Sequence, residues 1–128
     1  MRQKVIQKAI SVAENLIHLP IGRSKHFSFI VKKNSIVSIG WNLSTKSHPI
    51  ASKFGYRFDA IHSELSSILS FGDLINAHKY QFLNLRFYNG KIGISRPCDK
   101  CQRLLVHYGF NIVTYSDEFG NFKTERFV

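Results

Sequence analysis

Cysteine is nearly absent from this chain: only Cys98 and Cys101 occur, three positions apart. A disulfide framework is therefore excluded, and two ligand-spaced thiols with none left for bridging suit a reducing compartment. No two histidines have the spacing of a zinc-finger pair, so a closed four-ligand finger cannot be assembled. Long apolar runs are missing too; the apolar stretches are short and strand-like, and the first residues lack the apolar core and cleavage site of a secretory leader. A soluble, cytoplasmic protein is expected. Repeats and low-complexity segments are also lacking, and 128 residues with 44% hydrophobic content make one domain, 1–128, with a core of its own.

Acidic residues are scarce, eight Asp and Glu against eighteen Lys and Arg, for a formal charge of +10. Between Glu14 and Asp59 there are none, while Arg23, Lys25, Lys32, Lys33, Lys46, Lys53 and Arg57 fall in that stretch. Such a balance is the electrostatic footprint of a polyanion binder. The plainer reading is a surface kept soluble by excess lysine.

The chemistry lies in two short motifs. His62-Ser63-Glu64 is followed downstream by Pro97-Cys98-Asp99-Lys100-Cys101. His62, Cys98 and Cys101 are three zinc-type ligands, the number a catalytic zinc takes while keeping a fourth position for water. Glu64 is then the spare carboxylate that can accept the water's proton and hand it to a leaving group. Asp59 precedes an apolar run (Ile61, Leu65, Ile68, Leu69) and reads as the N-cap of a helix that opens with Ala60-Ile61-His62 and ends near Phe71-Gly72. Pro97 suits the first position of a second helix, which Leu104, Leu105 and Tyr108 continue toward Gly109, and Cys98 and Cys101 share one of its faces. Two helix N-termini then converge on the metal and favour thiolates. Taken alone, C-x-x-C also fits a thioredoxin-like redox pair or half of a structural zinc site. A redox pair leaves His62 and Glu64 unexplained, and two cysteines are too few to close a structural site.

H-x-E followed by P-C-x-x-C resembles the signature of the zinc-dependent cytidine and nucleobase deaminase superfamily, small bacterial or viral cytosine deaminases in particular. The resemblance implies zinc held by His62, Cys98 and Cys101, proton transfer by Glu64, and a cytidine-deaminase-like α/β fold. That fold has three layers, with a mixed sheet of about five strands and helices on both faces. Members of the family commonly carry an Asn at a strand end that bonds the substrate's sugar, and Gly40-Trp41-Asn42 is similar to that element. On residue type alone Asn42 is equally a turn residue. His48, Ser95 and Arg96 join Asn42 as candidate substrate contacts.

The remaining elements follow the family's order. Val5, Ile6, Ala9, Ile10, Val12, Ala13, Leu16 and Ile17 predict an amphipathic helix over about 3–18, ended by Pro20 and Gly22. Residues 27–31 and 36–41 predict a hairpin around Lys32-Lys33-Asn34-Ser35. Its second strand turns Val37, Ile39 and Trp41 to one side and Ser38, Gly40 and Asn42 to the other, where the glycine permits close approach of a ligand or another backbone. Residues 43–58 form a long connection in which Lys46, Lys53, Tyr56 and Arg57 could track a phosphate backbone and stack bases. Phe54 and Phe58 are expected to pin it to the core. A strand spans 82–88 with Leu83, Leu85 and Phe87 on one face, and Asn89-Gly90 marks either a small hairpin or a bulge. Strands at 111–115 and 122–128 are separated by too few residues for a helical crossover, so they pair antiparallel. Within the superfamily that places the chain with the cytidine deaminases rather than the APOBEC-type and tRNA adenosine enzymes.

The expected activity is hydrolytic deamination of cytosine in a polynucleotide, single-stranded DNA by preference and RNA as a further candidate, because unpaired bases need no flipping. The alternatives are deamination of free cytidine, deoxycytidine or a cytidine nucleotide, and a catalytically silent, zinc-containing module that binds nucleic acid.

Overall fold

The structure is a computed structural model, and it describes residues 1–18, 24–42, 49–55, 62–72 and 77–128. Helix α1 spans Gln3–Leu16; β1 (Ser24–Lys32) and β2 (Ser35–Trp41) form a hairpin; a short helix α2 (Pro49–Lys53) precedes α3 (Ser63–Phe71). A 3-10 turn at Ala77–Lys79 leads into β3 (Gln81–Tyr88) and the two-residue β4 (Lys91–Ile92), followed by α4 (Asp99–His107), β5 (Ile112–Ser116) and β6 (Phe122–Arg126). The sheet runs β2-β1-β3-β5-β6, with β4 on β3 as a sixth strand. Only β3 and β5 are parallel, joined across α4, and β5 and β6 pair antiparallel as their short connection requires.

Alternation along the strands builds two cores. Phe27, Phe29, Val31, Leu83, Leu85 and Phe87 face α1, whose Val5, Ala9 and Ala13 are buried against them. The opposite face carries Ile30, Phe82, Val113 and Tyr115 and is covered by Leu65 and Ile68 of α3 and by Cys101, Leu104 and Leu105 of α4. Helices on both faces make the three-layer α/β architecture. In an alternating strand the positions opposite the apolar ones usually meet water. Here Ser28, Ser38 and Asn84 occupy them and are buried under α3.

Gly40 is where α3 lands on the sheet. A Cβ at this position would lie 2.2 Å from the Ser67 nitrogen and 2.7 Å from the Ser63 carbonyl oxygen, so the close approach is by another backbone. Ser38 Oγ donates to the Ser67 carbonyl at 2.8 Å and secures the same contact. The Asn89-Gly90 dipeptide forms a hairpin turn, with φ of 51° and 76°, and so resolves the choice between hairpin and bulge.

Both motif helices begin later than expected. His62 is the N-cap of α3, with φ −73° and ψ 159°, and the expected capping residue Asp59 lies outside the described residues. Cys98 is likewise the N-cap of α4, which puts Pro97 just outside that helix. Gly72, at φ 79°, ends α3, and Gly109, at φ 89°, follows the Tyr108 cap of α4. Among the described residues no helix is long and apolar enough to cross a membrane.

Candidate active site

His62 Nδ1 lies 3.5 Å from Cys101 Sγ and 3.9 Å from Cys98 Sγ. All three ligand atoms fall within 4.8 Å of one another, the one such group among the described residues. Bonds of about 2.0 Å to nitrogen and 2.3 Å to sulfur at tetrahedral angles separate the ligand atoms by roughly 3.6 Å, so these residues fit a zinc ion. Cys101 is buried and Cys98 exposed, leaving one side of the cluster toward solvent. A hydrogen bond from Cys101, assisted by His62, pulls the Cys98 thiol down to about 3. His62 is pushed up, first by its hydrogen bond to Cys98 and then by the Glu64 charge. Cys98 is thus a thiolate at neutral pH, the form that ligates metal.

The segment that delivers Cys98 is tied down by two serines. Ser95 N donates to the Ser116 carbonyl, and Ser116 N donates back to Ser95 Oγ, each at 2.8 Å. Ser95 Oγ also donates to the Asn84 carbonyl at 2.8 Å, and Ser116 Oγ donates to the Gly93 carbonyl at 2.6 Å. The approach to Pro97 is thereby fixed to β3 and β5 before α4 begins.

Glu64 is buried in the first turn of α3. Its Oε2 accepts from Asn84 Nδ2 at 3.0 Å and its Oε1 from Ser63 Oγ at 3.1 Å. Ser28 Oγ lies 2.8 Å from Ser63 Oγ and donates to Asn84 Oδ1 at 2.6 Å. A carboxylate offers about four acceptor positions, so these two contacts do not exhaust it.

The sequence-derived substrate contacts are spread out. Asn42 follows β2 directly, and its Oδ1 accepts from His26 N at 3.0 Å. The Ser95 hydroxyl is buried in the tie just described. Arg96 makes a two-pronged ion pair with Glu125, 3.0 and 2.9 Å, and stacks over Phe127 at 5.3 Å. Lys53 is exposed at the end of α2, while Lys46, His48, Tyr56 and Arg57 lie outside the described residues, as does Phe58. Phe54 packs against His107, ring centroids 5.2 Å apart, as its anchoring role requires.

Four residues near the cluster escape a reading by motif: His26, Ser28, Ser63 and Asn84. His26 sits on β1 opposite Arg86 of β3, and burial, then Arg86 and His62, push it down to about 4. His26, Ser28 and Asn84 stand at alternate polar positions of β1 and β3, and alternation does not say that such a face is covered.

A His/Cys/Cys cluster at two helix caps, under a mixed sheet with this strand order, defines a cytidine-deaminase-like fold with a zinc-compatible site. Solved structures with the same architecture are a dCMP deaminase from the cyanophage S-TIM5 in complex with dCMP and dUMP (TM-score 0.62, 17% identity, 92% of this chain and 85% of that one). Its apo form matches similarly (TM-score 0.60, 18% identity, 92% and 86%). No protein-family model and no curated protein matches the sequence.

Proposed function

We propose that this protein is a zinc-dependent hydrolytic deaminase that converts the cytosine of a free cytidine nucleotide to uracil. The observation that carries this reading is the convergence of His62, Cys98 and Cys101 beside Glu64, in a fold shared with dCMP deaminases. His62 Nδ1 and the two sulfurs would hold the metal, which when bound lowers the pKa of a coordinated water to about 7. Glu64 accepts a proton from the attacking water and delivers it to the exocyclic nitrogen. The carbon–nitrogen bond breaks, ammonia leaves, and uracil carries the water's oxygen.

The surroundings of Glu64 suit that task. Asn84 Nδ2 donates to Oε2 and Ser63 Oγ to Oε1, and the Ser28 hydroxyl faces both Ser63 Oγ and Asn84 Oδ1 behind them.

A mononucleotide is favoured over the polynucleotide expected from charge, because the structural neighbour is a deaminase crystallised with dCMP and dUMP. The test is to incubate the zinc-loaded protein with dCMP, CMP, deoxycytidine, single-stranded DNA and RNA, and to chromatograph the products. Uracil nucleotide and ammonia from dCMP or CMP are expected. Conversion confined to the polynucleotides would transfer the activity to them, and tight binding of DNA without any product would leave a silent binding module.

A further inference from the structure

Buried polar side chains are costly unless each finds a partner, so a group of them on one sheet face calls for an account. Ser28 (0% exposed), Ser63 (3%) and Asn84 (4%) form such a group, and all three converge on Glu64 (6%). Ser28 and Asn84 stand directly opposite each other on β1 and β3. Ser63 separates the ligand His62 from Glu64.

Asn84 has one permitted orientation. Its Nδ2 faces Glu64 Oε2 at 3.0 Å and the Ser95 carbonyl oxygen at 3.3 Å, both pure acceptors. Its Oδ1 takes the Ser28 hydroxyl at 2.6 Å. Turning the amide over would set an oxygen against two oxygens, so the Ser95 carbonyl keeps an N–H aimed at the carboxylate, while the Ser28 hydroxyl holds the other end of the amide in place. The second N–H reaches the backbone three residues ahead of Cys98, so a single amide ties Glu64 to the segment that delivers a metal ligand.

We infer that Asn84 and Ser28 are positioning residues for Glu64: they lock the rotation of its carboxylate relative to the metal cluster, Asn84 directly and Ser28 by holding the Asn84 amide in place. The inference rests on the reading of Glu64 as the proton carrier. Groups that orient a reacting residue without touching substrate typically contribute about 10–100-fold.

The experiment compares Asn84→Ala, Ser28→Ala and the double variant with Thr114→Val, which removes a buried hydroxyl that pairs with the exposed Thr124 elsewhere in the sheet. Zinc content, melting temperature, kcat and KM for dCMP are measured on each. Both single variants are expected to bind one zinc per chain and to lose kcat by about 10–100-fold with KM within about threefold of wild type. The double variant should fall little below the worse single, since the two act as one unit. Thr114→Val should melt lower and keep its kcat.

A second readout needs no turnover: the melting-temperature loss caused by Asn84→Ala should shrink in a Glu64→Ala background. Wild-type kcat in a folded, zinc-loaded Asn84→Ala protein overturns the inference, and so do melting losses of Asn84→Ala and Glu64→Ala that simply add. If Asn84→Ala does not fold, a wild-type kcat in Ser28→Ala overturns it. A wild type that turns over no cytidine compound would defeat the proposed function instead, and the melting cycle would still decide whether Asn84 holds Glu64.

Discussion

Glu64 and His26 meet the same problem, burial of a titratable group, and resolve it differently. Glu64 is surrounded by donors, from Asn84 and Ser63, which suit a group that must carry charge and shed it again. Replacing it by glutamine keeps the shape and removes the base. Zinc should remain at wild-type stoichiometry while turnover falls by about 10²–10⁴-fold, the usual share of general acid–base catalysis. Elemental analysis beside steady-state kinetics checks this, and near-wild-type turnover in Glu64→Gln would sink the assignment.

His26 is half-buried beside Arg86 and His62 and stays neutral, at about 4 against an ordinary 6.5. Between those two values the unfolded chain takes up a proton that the folded chain refuses, so stability falls as pH drops from about 6.5 toward 4 and is unaffected by His26 above that window. Denaturant unfolding at pH 7, 6 and 5 should show a shallower acid loss for His26→Asn than for wild type. Equal slopes would refute the assignment.

At the scale of elements, the placement of α3 decides whether a site exists. His62 and Glu64 point where they do because α3 lies on β2 at backbone contact over Gly40, where a methyl group would meet main-chain atoms at 2.2 and 2.7 Å. Main chain cannot yield as a flexible side chain can. Gly40→Ala should therefore cost at least about 3 kcal/mol or prevent folding, and it should weaken zinc binding by displacing the caps. Circular dichroism melts and zinc titration test this; an unchanged melting temperature would contradict the contact.

The elements were largely legible in the chain. Hydrophobic periodicity marked α1, the β1–β2 hairpin and β3, and Gly72 and Gly109 marked the helix ends. The helix starts were not, because His62 and Cys98 are poor capping residues by type and take the N-cap position as metal-ligand candidates. Ser28 and Asn84 were invisible for a related reason: alternation separates the two faces of a strand without saying what covers each.

For the whole molecule, the charge of +10 raised the expectation of a nucleic-acid substrate. A mononucleotide makes a weaker demand on it. A polynucleotide bound through six to ten phosphates loses about 10³–10⁵ in affinity between 50 and 200 mM salt, whereas KM for dCMP should rise less than about tenfold over the same range. Kinetics across that range separate the two, and a steep salt dependence for dCMP would count against the present reading.

The linear chain by itself singled out His62, Cys98 and Cys101 as candidate ligands and Glu64 beside them, and determined the antiparallel ending, because residue types, spacing and a connection too short for a crossover are properties of sequence. Only the tertiary structure decided that His62 Nδ1 and both sulfurs meet within 4.8 Å, and that Asn84 of β3 and Ser63 of α3, backed by Ser28 of β1, surround the Glu64 carboxylate. The hydrogen bonds that join β1, β3 and α3 there link residues 20 to 56 positions apart. Their distances depend on how α3 and α4 pack on the sheet, which no local pattern encodes.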